Sequence, residues 1–462
     1  MFTNSVHMLP GYSLSDSLGS RGLGWACLLW QPCFHKLNNF LVNPDHVVLW
    51  ERAPTWATQK FEISKIIARF EHILQIRYPM SRPIAYITRY LPEYRRPILE
   101  KLNERLHGRL IVYAGSFPDT SFKGLSPVSS SSYSLIELKN TWIGGQRALI
   151  QNMRPVVACN PAVIMAEESP RTVTLPWLLA AARRKGIGTL LWGHFSSNLR
   201  AFSGRNLLDR YRMALAKRVD GCVCYTNEIA EMIRPYVSAE HRFVAQNTLD
   251  TDRLFRLHRS LVSEGKKSVR SRLGLPEQGA TVVFLGRLIA DKQPEVLLDL
   301  HKALSARGKA TLIMIGDGPE RTKLTLRIQR EGLTNVFFPG ALSKLEDSAP
   351  WMYAADVMVC PGYVGLNVNH AFCLGLPVVT CTSPDPGIRY HSPEIAYLKP
   401  GVNGMQYHYG NLNSLTEVTS AVLQNKDRFS SHALEYAQSH LQMHRMVDGL
   451  VQAIEYAESC AG

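Results

Sequence analysis

The chain has 462 residues, 45% of them hydrophobic and 19% charged, which is ordinary globular composition and sets aside a disordered or fibrous class. Lys and Arg outnumber Asp and Glu by 52 to 38, and the formal charge of +14 suits an anionic partner such as a nucleotide or an acidic membrane surface. The longest apolar runs are about ten residues, short of the roughly 20 that a membrane-crossing helix needs.

Residues 1–79 differ in character from the rest: Trp-rich, irregular, with an amphipathic helix expected over 57–75. They are read as an accessory or spurious extension, with "GLGWACLLW" (22–30) a poor signal peptide. From Met80 the chain alternates short apolar strands with amphipathic helices. Strands are expected at 84–88, 109–114, 155–159, 162–166, 188–192, 220–225 and 242–246. Helices are expected at 95–107, 138–152, 174–185, 205–217 and 227–236. This rhythm describes a parallel sheet covered on both faces. Residues 117–134, rich in Ser, Pro and Gly, read as a mobile loop.

Residues 256–275 are basic and polar and read as a linker carrying a short helix. A second α/β alternation follows, with strands at 281–286, 311–315, 335–338, 356–360, 377–381 and 395–398, and a last helix over 432–458. The expected fold class is therefore α/β, with two Rossmann-like doubly wound domains facing across a cleft. An N-terminal domain covers 80–255 and a C-terminal domain 276–431, while the helical segment 432–462 packs back on the first. Ligand sites in such sheets lie outside the carboxyl ends of the strands.

Nine cysteines are scattered at 27, 33, 159, 222, 224, 360, 373, 381 and 460. With no paired CxxC units a zinc site is not expected, and the odd count favours a reducing cytosol. The expected location is cytoplasmic or peripheral at the inner membrane face.

The chemistry-bearing motifs sit just after strands. In "VVFLGRLIADKQPEV" a strand ends at Gly286, followed by Arg287 and, five residues on, Lys292. Two fixed cations at a strand end can clamp a diphosphate in place of a metal ion. In "TLIMIGDGPERTKL" the glycines permit close backbone approach, and Asp317 either caps the following helix or contacts a ligand. In "GLNVNHAFCLGLPVV" the amides of Gly365, Leu366 and Asn367 open a helix after a strand, where an anion is favoured. Asp250-Thr251-Asp252 is a D-x-D that could hold a metal, but it follows a strand and reads as structural. His194 ends the strand in "GTLLWGHFSS".

The ordered series "FLGRLIADK", "GDGPER", "FFPGAL", "ADVMVCPG", "GLNVNHAFCLGLPVV" and "SPEIAYLKPGVNG" resembles the C-terminal domain of the retaining GT-B glycosyltransferases of family 4 (glycosyl transferases group 1) over about 130 residues. The resemblance implies transfer of a sugar from a nucleotide-diphosphate donor to a hydroxyl acceptor, with retention and without metal. It implies no cofactor, and a UDP-sugar rather than a GDP-sugar as donor. It places Gly286, Arg287, Lys292, Asp317, Gly365, Leu366, Asn367, His370 and Glu394 at the donor, with His194, Arg287 and Lys292 as catalytic residues. "RYLPEYRRPILEKL" is similar to the family's first loop and helix and puts Arg89, Tyr94 and Arg95 on the acceptor side, though the paired glycines of many members are absent. The partners implied are a nucleotide sugar, a saccharide or lipid-linked acceptor in surface polysaccharide assembly, and an anionic membrane surface. Nucleic acid is not expected.

The family usually carries two glutamates separated by seven residues, the first near the sugar and the second on the ribose. Here His370 stands at the second and no acid fills the first. Neutral imidazole offers one donor and one acceptor for ribose hydroxyls. Asn367 and Asn369 are expected to supply the altered sugar contacts. Two other readings stay open: a nucleotide-sugar epimerase of the same fold, and a catalytically silent nucleotide-binding subunit.

Overall fold

The computed structural model describes residues 81–116, 132–197, 202–385 and 387–461. The expectations for 1–79, and for most of 117–134, lie outside the described residues.

The first α/β unit contains β1 (Ile84–Thr88), β2 (Leu110–Gly115), β3 (Ser134–Leu138), β4 (Asn140–Ile143), β5 (Ala148–Gln151), β6 (Val163–Glu167), β7 (Gly188–Gly193), β8 (Gly221–Cys224) and β9 (Arg242–Val244). Seven of these form one sheet in the order β3-β2-β1-β6-β7-β8-β9, every pair parallel. β1 and β8 are buried along their whole length, so they read as unbroken apolar runs rather than alternating ones.

The second unit contains β10 (Ala280–Leu285), β11 (Ala310–Ile315), β12 (Val336–Gly340), β13 (Val357–Cys360), β14 (Val378–Cys381) and β15 (Gly404–Tyr407). Their order is β12-β11-β10-β13-β14-β15, again parallel throughout. The strand order reverses between β1 and β6 in the first sheet and between β10 and β13 in the second. A doubly wound sheet opens a ligand crevice at such a point.

Four segments depart from the sequence expectations. Residues 138–152 form the antiparallel β4–β5 hairpin, not a helix, because Gly144 and Gly145 both take positive φ (61° and 62°) and turn the chain. Residues 155–159 lie largely in a short helix (Arg154–Ala158) with proline in its first turn, not in a strand. Residues 395–398 fall in or just after the 3-10 turn Pro393–Tyr397, and the edge strand is β15 instead. Residues 256–275 carry two helices, Thr251–Glu264 and Lys266–Arg272, rather than a linker with one short helix. Leu254, Leu261, Val269 and Leu275 enter the core of the second unit. Asp356 anchors this pair: its Oδ2 accepts from Arg270 Nη2 at 2.9 Å and from the Thr281 amide at 3.0 Å.

The span 432–458 holds parts of two helices, broken at Leu441–Gln442. Lys426–His440 packs on the second unit, and Met443–Cys460 lies against the first sheet. Met446, Val447, Leu450 and Ile454 bury there among Val112, Met165, Leu190 and Val223, each contributing roughly 1.5–3 kcal/mol of transfer energy. Gly449 permits the approach, since a Cβ at that position would sit 2.3 Å from the Val244 carbonyl oxygen. The two crossings between units are tied together, with Thr248 Oγ1 donating to the Leu441 carbonyl and the Met443 amide donating to Thr251 Oγ1, both at 2.9 Å.

Candidate functional site

At the switch point of the second sheet, the chain leaves β10 at Gly286 and leaves β11 at Gly316. The two loops pack backbone to backbone. A Cβ on Gly316 (φ 145°) would lie 1.9 Å from the Gly286 carbonyl oxygen. The Leu288 amide donates to the Asp317 carbonyl at 2.9 Å, and the Glu320 amide donates to the Leu288 carbonyl at 3.0 Å. Arg287 is exposed at the head of this joint. Asp317 is also exposed, and its Oδ1 accepts from the Gly318 amide at 2.8 Å. The helix Arg321–Glu331 begins at Glu320 without a side-chain cap. Asp317 therefore closes the G-D-G turn and does not cap the helix.

Lys292 is buried. Its Nζ donates to the Tyr363 carbonyl at 2.5 Å and lies 3.2 Å from the centre of the Tyr363 ring. Burial pushes its pKa down to about 8, against the pull of nearby Cys360, Glu394 and Asp291. The Tyr363 phenol is held above its ordinary value by burial and Asp291, while Arg287 acts in the other direction. Lys292 is thus held against Tyr363, in the loop that follows β13, while Arg287 lies five residues before Lys292, just after the end of β10. Gly362 packs against the Asp291–Lys292 backbone only as glycine: a Cβ would lie 2.3 Å from the Asp291 carbonyl oxygen and 2.6 Å from Lys292 Cα.

The turn into the helix Asn367–Cys373 is fixed by its own side chains. Asn367 Oδ1 accepts from the Gly365 amide at 2.9 Å, and its Nδ2 donates to the Leu285 carbonyl at 3.2 Å and lies 3.1 Å from Cys360 Sγ. Asn369 Nδ2 donates to the Asn247 carbonyl at 3.2 Å and to Thr248 Oγ1 at 3.1 Å. The amide nitrogens of both asparagines are bonded within the fold, and the Gly365 amide is engaged by Asn367 Oδ1. His391 sets the entry to this turn. Its Nδ1 accepts from the Val364 amide at 3.1 Å, which makes Nε2 the donor to the Cys381 carbonyl at 2.9 Å. Burial lowers its pKa to about 4, so the ring stays neutral.

Asn369 Oδ1 and His370 Nδ1 are both buried with no partner among the described residues. Burial alone lowers the His370 pKa to about 4. An orphaned buried nitrogen costs free energy until something bonds to it. A ribose hydroxyl is the right kind of donor.

Glu394 is 2% exposed. Its Oε1 accepts from Asn247 Nδ2, and Asn247 Oδ1 accepts in turn from Arg95 Nη1 at 3.0 Å. Burial holds the Glu394 carboxyl above the usual range despite the Asn247 bond and the charges of Arg95 and Arg389. Arg95 is buried, with its guanidinium 4.5 Å from the Trp192 ring centre and 5.7 Å from that of Tyr225. It is a strut between the two units, not an open acceptor contact. Tyr94 beside it is exposed.

At the switch point of the first sheet, Arg89 follows β1 and is paired with Glu167 at the end of β6, at 2.5 Å. Thr88 Oγ1 and the Arg89 amide donate to the other Glu167 oxygen at 2.9 and 3.1 Å. Burial works against the Glu167 charge, but the Arg89 pair outweighs it and keeps the carboxyl ionised. Glu168 pairs with Arg212 at 3.0 Å and accepts from the Phe195 amide at 3.2 Å. His194 stands beside them, edge-on to Tyr225 at 4.8 Å. Its pKa falls to about 4, through burial first and then through Arg389. Arg389 reaches over from the second unit, and its Nη1 donates to Ser196 Oγ at 3.0 Å. The carboxyl ends of the two sheets therefore face each other, with His194 and Arg389 on opposite walls.

Asp250 caps the helix Thr251–Glu264 by accepting from the Arg253 amide at 3.0 Å, so that aspartate of the D-x-D has a structural role. Arg389, Asn247, Glu167, Glu168 and His391 were missed in the sequence. The one signal for them was position: each lies just after a buried strand or in the loop that follows one.

Residues 279–425 match the family described as "Glycosyl transferases group 1". The chain is 27% identical over 214 residues to the 2-deoxystreptamine glucosyltransferase of Streptomyces kanamyceticus, covering 43% of this chain and 54% of that one. It is 27% identical over 171 residues to the alpha-monoglucosyldiacylglycerol synthase of Streptococcus pneumoniae, covering 36% of this chain and 38% of that one. The match thus spans about half or less of these curated relatives. Among solved structures, HepE of Anabaena in complex with UDP superimposes with a TM-score of 0.60 at 19% identity, over 81% of this chain and 99% of that one. The two parallel-sheet units are those of the GT-B fold.

Proposed function

We propose that the chain is a glycosyltransferase of the retaining type, taking a UDP-sugar as donor. The observation that carries this reading is the position of Arg287 and Lys292 in the loop after β10 at the switch point of the second sheet, with Lys292 held against Tyr363, inside the segment that matches the glycosyltransferase family. The UDP complexed with HepE of Anabaena supports uracil as the base in this reading.

In this reading Arg287 and Lys292 grip the diphosphate, and their charge stabilises it as leaving group without a metal ion. His370 Nδ1 accepts from a ribose hydroxyl. The bond from the anomeric carbon to the diphosphate oxygen breaks. A bond to the acceptor oxygen forms on the same face, and the acceptor proton passes to the departing phosphate. His194, neutral above about pH 4, can accept a hydrogen bond from a sugar hydroxyl but brings no charge. Arg389 and Ser196 close the wall beside it. The acceptor is a lipid-linked saccharide or glycolipid, a reading supported by the match to a diacylglycerol-modifying relative.

A second reading, a nucleotide-binding subunit without turnover, is favoured by one observation: His370 replaces the usual acid, and the amide nitrogens of Asn367 and Asn369 are bonded within the fold. UDP release from UDP-glucose, measured with and without a lipid extract, separates the readings. Acceptor-dependent release supports transfer, and an α-linked product from the α-linked donor supports retention. UDP binding with no turnover favours the silent subunit. Conversion of the donor sugar alone favours an epimerase. Loss of activity in EDTA contradicts metal independence.

A further inference from the structure

The β4–β5 hairpin is rooted at the acceptor end of the first sheet. Asn140 Nδ2 donates to the Arg89 carbonyl at 2.8 Å, and Gln151 Nε2 donates to the Thr88 carbonyl at 3.1 Å. Residues opposite one another on the two strands share a face. Asn140, Trp142, Leu149 and Gln151 point inward, and Thr141, Ile143, Ala148 and Ile150 point out. Ile143 and Ile150 are 50% and 42% exposed.

The hairpin continues into a second exposed apolar element. The Val173 amide donates to the Leu149 carbonyl at 3.0 Å, and the Leu149 amide donates to the Arg171 carbonyl at 2.7 Å. Val173, just before the helix Leu175–Arg184, and Trp177, within it, are 49% and 48% exposed. The helix Leu175–Arg184 buries Leu175, Leu178, Leu179 and Ala182 and turns Trp177, Ala180 and Arg184 to solvent. Exposed Arg147 lies in the hairpin turn, Arg183 and Arg184 on the helix, and Arg171 in the segment that pairs with Leu149 between them. No exposed acid lies between 139 and 166 or between 169 and 185.

Large side chains left in water beside the mouth of a site mark an interaction surface. Exposed Trp and Ile on segments that carry arginines and no exposed acid match an anionic bilayer: apolar groups enter the headgroup region and guanidiniums meet the phosphates. We infer that the outer face of the β4–β5 hairpin and the first turns of the helix Leu175–Arg184 form a docking surface for an anionic lipid bilayer, which presents a lipid-anchored acceptor to the cleft beside Arg89. This inference rests on the glycosyltransferase reading for the acceptor, but the docking is testable without it.

The full chain is floated with vesicles of phosphatidylglycerol and phosphatidylcholine, and with phosphatidylcholine alone. Binding to the anionic vesicles only is expected. The triple variant Ile143→Ser, Ile150→Ser, Trp177→Ser is expected to lower partitioning about tenfold or more. Arg147→Gln with Arg184→Gln is expected to lower it and to flatten its salt dependence. Each substituted side chain is exposed, and UDP-induced thermal shifts of the same variants report whether the donor site is intact. Wild-type chain that does not float, or variants that float as well as the parent, would overturn the docking surface. So would sedimentation showing a wild-type dimer that the triple variant breaks, because the patch would then belong to a second copy. Absence of a UDP shift in the wild type, with vesicle binding intact, would instead count against the glycosyltransferase reading alone.

Discussion

Asn247 bonds to Glu394 with its amide nitrogen and to Arg95 with its amide oxygen, so one side chain joins residues of both α/β units through the start of the crossing between them. All three are buried. Asn247→Ala would strand a carboxylate and a guanidinium at once. A loss on the order of 2–3 kcal/mol is expected in urea unfolding, more than a single neutral hydrogen bond contributes. A loss under about 0.5 kcal/mol would mean that the units are held by other contacts.

Gly316 meets the Gly286 backbone, and Gly362 meets the Asp291–Lys292 backbone, with no flexible side chain able to give way. Gly316→Ala and Gly362→Ala are each expected to cost about 1–3 kcal/mol of stability, as overpacking does. Gly362→Ala should also displace Lys292 and weaken UDP binding. Retention of parental affinity in that variant, measured by calorimetry, would show that the clamp does not depend on this backbone contact.

Lys292 gives nucleotide binding a pH dependence. Its pKa in the free protein is about 8, below its ordinary 10.5. A diphosphate needs the ammonium form, so affinity for UDP should fall as pH rises through 8. The sign for stability is opposite. Between pH 8 and 10.5 the unfolded chain holds a proton that the folded chain lacks, so this residue makes the fold more stable as pH rises. Titrations of UDP binding at pH 7 and pH 9 check the first statement, and unchanged affinity would contradict it.

His370 acts in the acid range. Its pKa is about 4 when folded and 6.5 ordinarily. Between these values the unfolded chain takes up a proton and the folded chain does not, so its contribution is full above pH 6.5 and is lost as pH falls towards 4. His370→Leu removes the group without breaking a bond to its orphaned Nδ1. The variant should lose less stability than the parent between pH 6.5 and 4. Parallel stability curves would show that folding does not shift the titration of His370.

Much of this fold was legible in the chain. β1, β6, β7, β11, β13 and β14 are short apolar runs bounded by polar or glycine turns, and burial on both faces leaves that trace in sequence. The hairpin at 140–151 was not read, because its apolar spacing also fits a helix and the decisive signal was Gly144-Gly145. The helices at 251–272 looked like a linker because their outer faces are strongly basic, while only a few positions, such as Leu254 and Leu261, enter the core. Positions of site residues were more legible than their partners. Asn367 and Asn369 sit on the expected helix, yet their bonds run to Leu285 and Asn247, 82 and 122 residues away. Arg389 and Ser196 meet across 193 residues. No local pattern encodes such pairs, since topology alone brings them together.

The central claim is that Arg287 and Lys292 hold a nucleoside diphosphate, with His370 in a lesser role at the ribose. Thermal melting of the full chain with UDP, GDP, ADP and CMP tests it. A nucleotide at 100 times its dissociation constant should add about 2.7 kcal/mol of stability. UDP is expected to raise the parent's midpoint, to leave Arg287→Ala and Lys292→Ala unmoved, and to give His370→Ala a reduced but measurable shift. No shift with any nucleotide, or a shift that survives both cation variants and vanishes with His370→Ala, would contradict the account.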